Sequence, residues 1–157
     1  MPVFRSSYPS PLGHLALFSV EGLLCGLSFE EDFYDVPCSP YHPSFVPTWH
    51  WLDRYFEGRP LADLPPLTPQ GTPFQNRVWK SAMDVPFGAT TTYGDLAELV
   101  SGTRLAARAV GMALSCNPYL ILIPCHRVLA SSGSLGGFAA GLERKKALLN
   151  FEATGQL

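Results

Sequence analysis

The sequence predicts a mixed α/β (α+β) fold in two parts. Residues 1–70 form a small N-terminal β-sheet domain with a helix and a proline-rich linker, and residues 71–157 form a helical C-terminal domain. Short apolar runs around turn residues dominate the first third, and apolar positions at three- and four-residue spacing dominate the second half. Pro60, Pro65, Pro66 and Pro69 separate the two patterns. Charge divides there too. Residues 1–70 carry three Lys/Arg against eight Asp/Glu, a balance of −5, and residues 71–157 carry eight against five, a balance of +3. A net charge of −2 excludes bulk attraction of the whole surface to nucleic acid, but leaves room for a modest footprint on the second part.

The hydrophobic fraction of 46% and charged fraction of 15% describe a compact folded chain. No apolar run approaches the roughly 20 residues that span a bilayer. No basic region followed by an apolar stretch opens the sequence, so neither membrane nor secretion is expected. The four cysteines then read as thiols in a reducing, cytoplasmic setting.

The elements follow in order. Leu15 to Phe18 and Leu23 to Leu27 flank Glu21-Gly22 and predict a hairpin. Pro37, Pro40, Pro43 and Pro47 interrupt regular structure, and a short helix follows with Trp49, Leu52, Tyr55 and Phe56, stopped by Gly58. Beyond the linker, Thr72-Pro73 starts a helix whose stripe is Phe74, Val78, Trp79 and Met83, ended by Pro86-Phe87-Gly88. A second helix begins near Thr92 with Leu96, Ala97 and Val100, Ser101-Gly102-Thr103 turns the chain, and a third helix covers 104–115. Together they read as a helix-turn-helix. Ile121-Leu122-Ile123 predicts a short buried strand leading into Pro124-Cys125-His126-Arg127-Val128. A loop over 131–137 and a last helix over 142–152 complete the chain.

Cys125 is the candidate nucleophile. A cysteine at the end of an apolar segment is ordinarily a small inert hydrophobe, the reading given to Cys25, Cys38 and Cys116. A core strand rarely continues into His-Arg, and a base or cation beside a thiol raises its thiolate population. Neighbours on an extended strand point to opposite faces, so contact between Cys125 and His126 requires a bend or a bridging water. The third helix is nearly without bulk along one surface, through Ala106, Ala107, Ala109, Gly111 and Ala113, with Arg108 projecting from it. Close helix packing or close approach to a DNA groove explains that composition equally well.

Gly71-Thr72-Pro73-Phe74-Gln75, Val78-Trp79, Pro86-Phe87-Gly88, Tyr93, Arg108-Ala109-Val110-Gly111, Asn117-Pro118, Pro124-Cys125-His126-Arg127-Val128 and Gly141-Leu142 together resemble the O6-alkylguanine-DNA alkyltransferases (methylated-DNA–protein-cysteine methyltransferases) over 71–157. Residues 1–70 resemble that family's variable N-terminal domain only through Ser10-Pro11-Leu12-Gly13 and the hairpin after it.

The resemblance implies a monomer on double-stranded DNA, docked in the minor groove, able to cluster along the duplex, with no cofactor. It implies that Ala107, Ala109 and Gly111 approach the DNA, that Arg108 takes the place of an extruded O6-alkylguanine, and that Tyr93 assists rotation and protonates the base. Cys125 accepts the alkyl group irreversibly, His126 acts as base through a water, Glu152 orients the imidazole, and Asn117 ties the helices to the active-site loop. O4-alkylthymine is a second candidate substrate. Leu114, Val128, Phe138, Ala139 and Ala140 form the pocket, with the carbonyls of Cys125 and Val128 reading the guanine amino group. Arg127 is placed with the DNA-binding residues, its guanidinium anchored by a carboxylate. Ala139 stands where many members have serine, Ala140 where glycine is frequent, and Leu120 where some have proline, which leaves tolerance of bulky alkyl groups open. Cys25, Cys38, His14 and His42 lack zinc-ligand spacing, so no metal is expected. The alternatives are a non-catalytic lesion-binding relative, a cysteine hydrolase using Cys125, His126 and Glu152, and a plain DNA-binding regulator. The first replaces the cysteine, and the other two leave either Arg108 or the PCHRV block unexplained.

Overall fold

The structure, a computed structural model, describes residues 1–31, 34–138 and 140–157. The fold is mixed α and β, and the chain divides into two compact units, Met1–Pro69 and Gln70–Leu157.

In the first unit three antiparallel strands lie in the order β1 (Val3–Ser10), β2 (Gly13–Val20), β3 (Leu23–Phe29). The expected hairpin is β2–β3, turning at Glu21-Gly22 with both residues at positive φ. β1 is an addition. Its inward positions include Ser6 and Tyr8, so polarity masks the alternation; Ser6 is satisfied by the Pro40 carbonyl at 3.1 Å and Tyr8 by Asp53 at 2.6 Å. Helix α1 (Val46–Phe56) lies on the Tyr8 side, with Trp49 edge-on to the Tyr8 ring at 4.9 Å. Two of the prolines expected to break structure lie inside helical turns. Pro43 opens the turn Pro43–Phe45 and Pro47 sits in the first turn of α1, where a missing N–H costs nothing. The proline-rich stretch is also no free linker. Leu24 N–H donates to the Pro66 carbonyl at 3.0 Å and Thr68 N–H to the Leu24 carbonyl at 2.8 Å, so it runs along the edge of β3, a place sheets tolerate proline.

In the second unit α2 (Pro73–Met83) carries a capping box in which Thr72 and Gln75 bond reciprocally. Its buried stripe is Val78, Trp79 and Ala82, whereas Met83 is exposed. Thr92 caps α3 (Tyr93–Ser101), which ends at a left-handed Gly102. The third helix is shorter than its pattern predicts. Arg104–Ala106 is a tight 3-10 turn, and α4 proper runs Ala107–Ser115. Ile121-Leu122-Ile123 forms no strand. Ile121 has φ 72°, unusual for a β-branched residue, and Ile123 N–H closes a buried turn onto the Tyr119 carbonyl at 3.0 Å. A two-residue parallel ladder joins β4 (Thr91–Thr92) to β5 (Val128–Leu129), and α5 (Leu142–Thr154) follows. Among the described residues no helix is long and apolar enough to cross a membrane.

Candidate active site

Parallel pairing of β4 with β5 builds the site. Tyr93 follows β4 directly and Cys125–Arg127 precedes β5 directly, so the ladder Thr91–Val128, Thr92–Leu129 sets the start of α3 beside the cysteine turn. That turn is 3-10, with Arg127 N–H bonded to the Pro124 carbonyl at 3.0 Å, which supplies the bend that an extended segment lacks. Asn117 holds it from below. Its amide donates to the Ile123 carbonyl at 2.8 Å and to Cys125 Sγ at 3.3 Å, and its Oδ1 accepts from Tyr119 N–H at 2.9 Å. Trp79 Nε1 donates to the Ala113 carbonyl at 2.8 Å and fixes α2 against α4.

Of the four cysteines only Cys125 is buried. Cys38 and Cys116, expected as core hydrophobes, are exposed, and Cys25 is half-buried. Burial pushes the Cys125 thiol up, while the Asn117 amide and the Lys145 ammonium pull it back. The resting nucleophile is therefore a thiol, and the chemistry needs a base. His126 is fully buried; its Nε2 lies 2.6 Å from Glu152 Oε2, and its Nδ1 has no partner among the described residues. Burial holds the imidazole below its usual range against the opposing pull of Glu152. The ring is thus neutral, with one nitrogen committed and the other open to a proton.

Glu152 accepts from the neutral imidazole and from one cation, Arg127. Arg127 Nε and Nη2 reach its two oxygens at 2.7 and 3.1 Å, and Arg127 Nη1 donates to the Val85 carbonyl at 2.7 Å. Arg127 is 7% exposed and committed to these partners, so its placement among DNA contacts is corrected: it anchors the site from within. The anchoring carboxylate is Glu152 itself, which explains why both residues share one buried corner.

Lys145 is a site residue that the sequence reading missed. It is fully buried on the face of α5 that also carries Leu148 and Glu152, and its Nζ donates to the Val128 carbonyl at 2.7 Å and the Gly137 carbonyl at 3.0 Å. A lysine on an apolar stripe was the signal available. Nζ also stands 5.7 Å from the centre of the Tyr93 ring. Tyr93 donates to the Gly137 carbonyl at 3.4 Å, and burial pushes its hydroxyl up. The loop closes tightly here: a Cβ on Gly136, whose φ is +68°, would stand 2.8 Å from the Tyr93 ring.

The start of α3, the face of α4 and the cysteine turn border a cleft of about 730 Å³ with Cys125 on its wall, a volume in the range of small-molecule sites. Leu114 and Phe138, named as pocket residues, line it together with Tyr93, Ala107, Arg108 and Gly111, named as DNA contacts, and Phe138 lies edge-on to the His126 ring at 6.5 Å. Arg108 and Ala109 are exposed on α4, Val128 is buried beneath the cleft, and Ala140 is half-exposed. Ala139 lies outside the described residues. Arg104, also missed, lines the cleft with Gly94, and its bond to Asp95 holds that carboxyl below the usual carboxylate range. Among the described residues no three His, Cys, Asp or Glu side chains converge as a metal site.

A buried thiol with its own histidine–glutamate chain, opening beside a helix-turn-helix, defines a class in which a cysteine acceptor works next to a DNA-reading element. Comparison with known proteins makes this specific. Residues 73–154 match the DNA-binding domain of 6-O-methylguanine DNA methyltransferase, and residues 3–65 match its ribonuclease-like domain. A methylated-DNA–protein-cysteine methyltransferase of Mycobacterium leprae is 41% identical over 149 residues, covering 93% of this chain and 90% of that protein. One from Saccharolobus islandicus is also 41% identical, with 92% of each chain covered. The crystal structure of Mycobacterium tuberculosis OGT in complex with DNA superposes with a TM-score of 0.86 at 36% identity, over 98% of this chain and 94% of that one. The chain belongs to the 6-O-methylguanine DNA methyltransferase family.

Proposed function

We propose that this protein repairs double-stranded DNA by direct reversal, taking the alkyl group of O6-alkylguanine onto Cys125, once and irreversibly, as a methylated-DNA–protein-cysteine S-methyltransferase. The observation that carries this is the buried Cys125 thiol, followed in sequence by a His126 that is bonded to Glu152, on the wall of a cleft that Arg108 also lines.

The chemistry balances on the chain's own groups. The Cys125 thiol gives its proton to His126 Nδ1, directly or through a water, and Glu152 stabilises the imidazolium through Nε2. The sulfur attacks the alkyl carbon in line, the S–C bond forms as the C–O6 bond breaks, and the electron pair stays with the guanine. Tyr93 protonates the departing ring, and the neighbouring Lys145 ammonium stabilises the phenolate until the imidazolium proton restores it. A thioether is a poor leaving group and no residue here is arranged to remove it, so one molecule repairs one lesion. The donor is the DNA itself, so no cofactor enters.

The face of Ala107, Ala109 and Gly111 fits a backbone brought close to a minor groove, and Arg108 fits insertion into the stack. The protein acts as a monomer in the cytoplasm, at the nucleoid when bound. Flipping a base costs a few kcal/mol, least for a damaged pair. Arg108→Ala is therefore expected to slow transfer from duplex by about 10- to 100-fold while leaving reaction with free O6-methylguanine unchanged; equal loss on both substrates would remove its role in extrusion.

Intact-protein mass spectrometry after incubation with a methylated duplex tests the whole reading. The expected product is one CH2 unit heavier, with the adduct mapped to Cys125. Unmodified protein after excess substrate, or protein that turns over repeatedly, overturns it.

A further inference from the structure

Arg104 opens the tight turn between α3 and α4 and lines the cleft with Tyr93, Gly94 and Arg108. Its Nη1 is paired with Asp95 Oδ1 and lies 3.5 Å from Glu98 Oε2, the three side chains being 51%, 58% and 62% exposed. The guanidinium lies against the first turn of α3, where a Cβ on Gly94 would stand 2.6 Å from Nη2 and 2.9 Å from Cζ. The absence of a side chain at Gly94 lets the guanidinium lie close against that turn.

Ion pairs this exposed contribute little to stability, so bracing the fold is a weak reason for the arrangement. Charge at the cleft gives a stronger one. Asp95 and Glu98 put two carboxylates on the exposed side of α3, where they repel an approaching phosphodiester. Arg104 covers both, with five N–H donors of which these pairs occupy few. Arg108 is the only other Lys or Arg among the residues described as lining the cleft, and the proposed function sends it into the stack. The backbone of the swung-out nucleotide must then be held at the rim, and a guanidinium matches a phosphate in two-pronged geometry.

We propose that Arg104 is a phosphate ligand at the cleft mouth, holding the backbone of the extruded nucleotide, and that Asp95 and Glu98 are the internal competitors it leaves on binding DNA. The inference rests on the alkyl-transfer reading and names a contact within it. It makes the two halves of one ion pair act in opposite directions. Loss of the cation weakens DNA binding, whereas loss of the carboxylates frees the cation and strengthens it. A brace between helices would suffer from either loss.

The test compares wild type, Arg104→Gln, Arg104→Lys and the double variant Asp95→Asn/Glu98→Gln. Affinity for unmodified duplex is followed by fluorescence anisotropy across a salt series, and methyl transfer is measured from duplex and from free O6-methylguanine. Arg104→Gln is expected to weaken duplex binding about 3- to 10-fold at low salt and to flatten the log K against log salt slope by about one. Arg104→Lys keeps the slope, and the double variant binds more tightly than wild type. An unchanged slope in Arg104→Gln removes the phosphate contact. A double variant that binds as poorly as Arg104→Gln makes the residue a brace instead. Wild-type protein that takes no methyl from either substrate overturns the alkyl-transfer reading itself, and the salt slopes then decide Arg104 separately.

Discussion

Cys125→Ala is expected to abolish alkyl transfer completely while leaving affinity for the duplex within about twofold of wild type. The sulfur is the acceptor, so no neighbouring group can substitute for it. The Asn117 amide donates to that atom, and the other three thiols are exposed or half-buried. The binding face should survive, because the Asn117 amide still holds the Ile123 carbonyl and Trp79 still holds α4. Removing one buried sulfur leaves a small cavity, at a cost of about 1 kcal/mol. Labelled methyl counted on the protein, with anisotropy on the same preparation, checks both halves. Any stoichiometric transfer in the variant would place the acceptor elsewhere.

Glu152→Gln should damage both stability and chemistry. The carboxylate is buried against His126, two nitrogens of Arg127 and the Gly88 N–H, the last at 3.3 Å. Neutralising it leaves a buried guanidinium without its counter-charge, at a cost of about 3 kcal/mol, since breaking such a pair is far worse than never having built it. For a unit of this size that lowers the melting temperature by more than about 10 °C. The variant also loses the group that supports the imidazolium, so proton removal from Cys125 becomes harder. The pH profile of thiol alkylation by a small electrophile should move upward. A full stability loss with an unmoved profile would make Glu152 an anchor only.

The same pair sets an acid limit. His126 is held neutral by burial, its folded value lying below the unfolded one near pH 6.5. The unfolded chain therefore binds more protons in that window, and the stability present above pH 6.5 is lost as pH falls through the folded value. Glu152 raises the folded value, so Glu152→Gln should widen the window toward lower pH.

Local sequence carried some of these features well. Thr72-Pro73 with Gln75 specifies a helix start by capping chemistry alone, and Glu21-Gly22 specifies a hairpin by its backbone preference. Cys125 and His126 stood out as candidates because a core strand rarely continues into His-Arg, whereas the small-residue face around Arg108 fitted helix packing and DNA approach equally well. The strand expected at Ile121 failed because a short apolar run marks burial and says nothing of backbone direction; here burial is met by a tight turn. β1 was illegible because Ser6, satisfied by the distant Pro40 carbonyl, occupies an inward position.

What the sequence alone determined is the choice of candidate residues and the local signals that start and stop the helices around them, since those depend on residue type and on neighbours a few positions away. The tertiary structure decided how the atoms meet: the β4–β5 ladder that brings Tyr93 to the cysteine turn, the return of α5 that supplies Glu152 and Lys145, and the commitment of Arg127 to the interior. Contacts between residues tens of positions apart are set by packing and by the need to pair every buried charge, and no short window of sequence contains both partners.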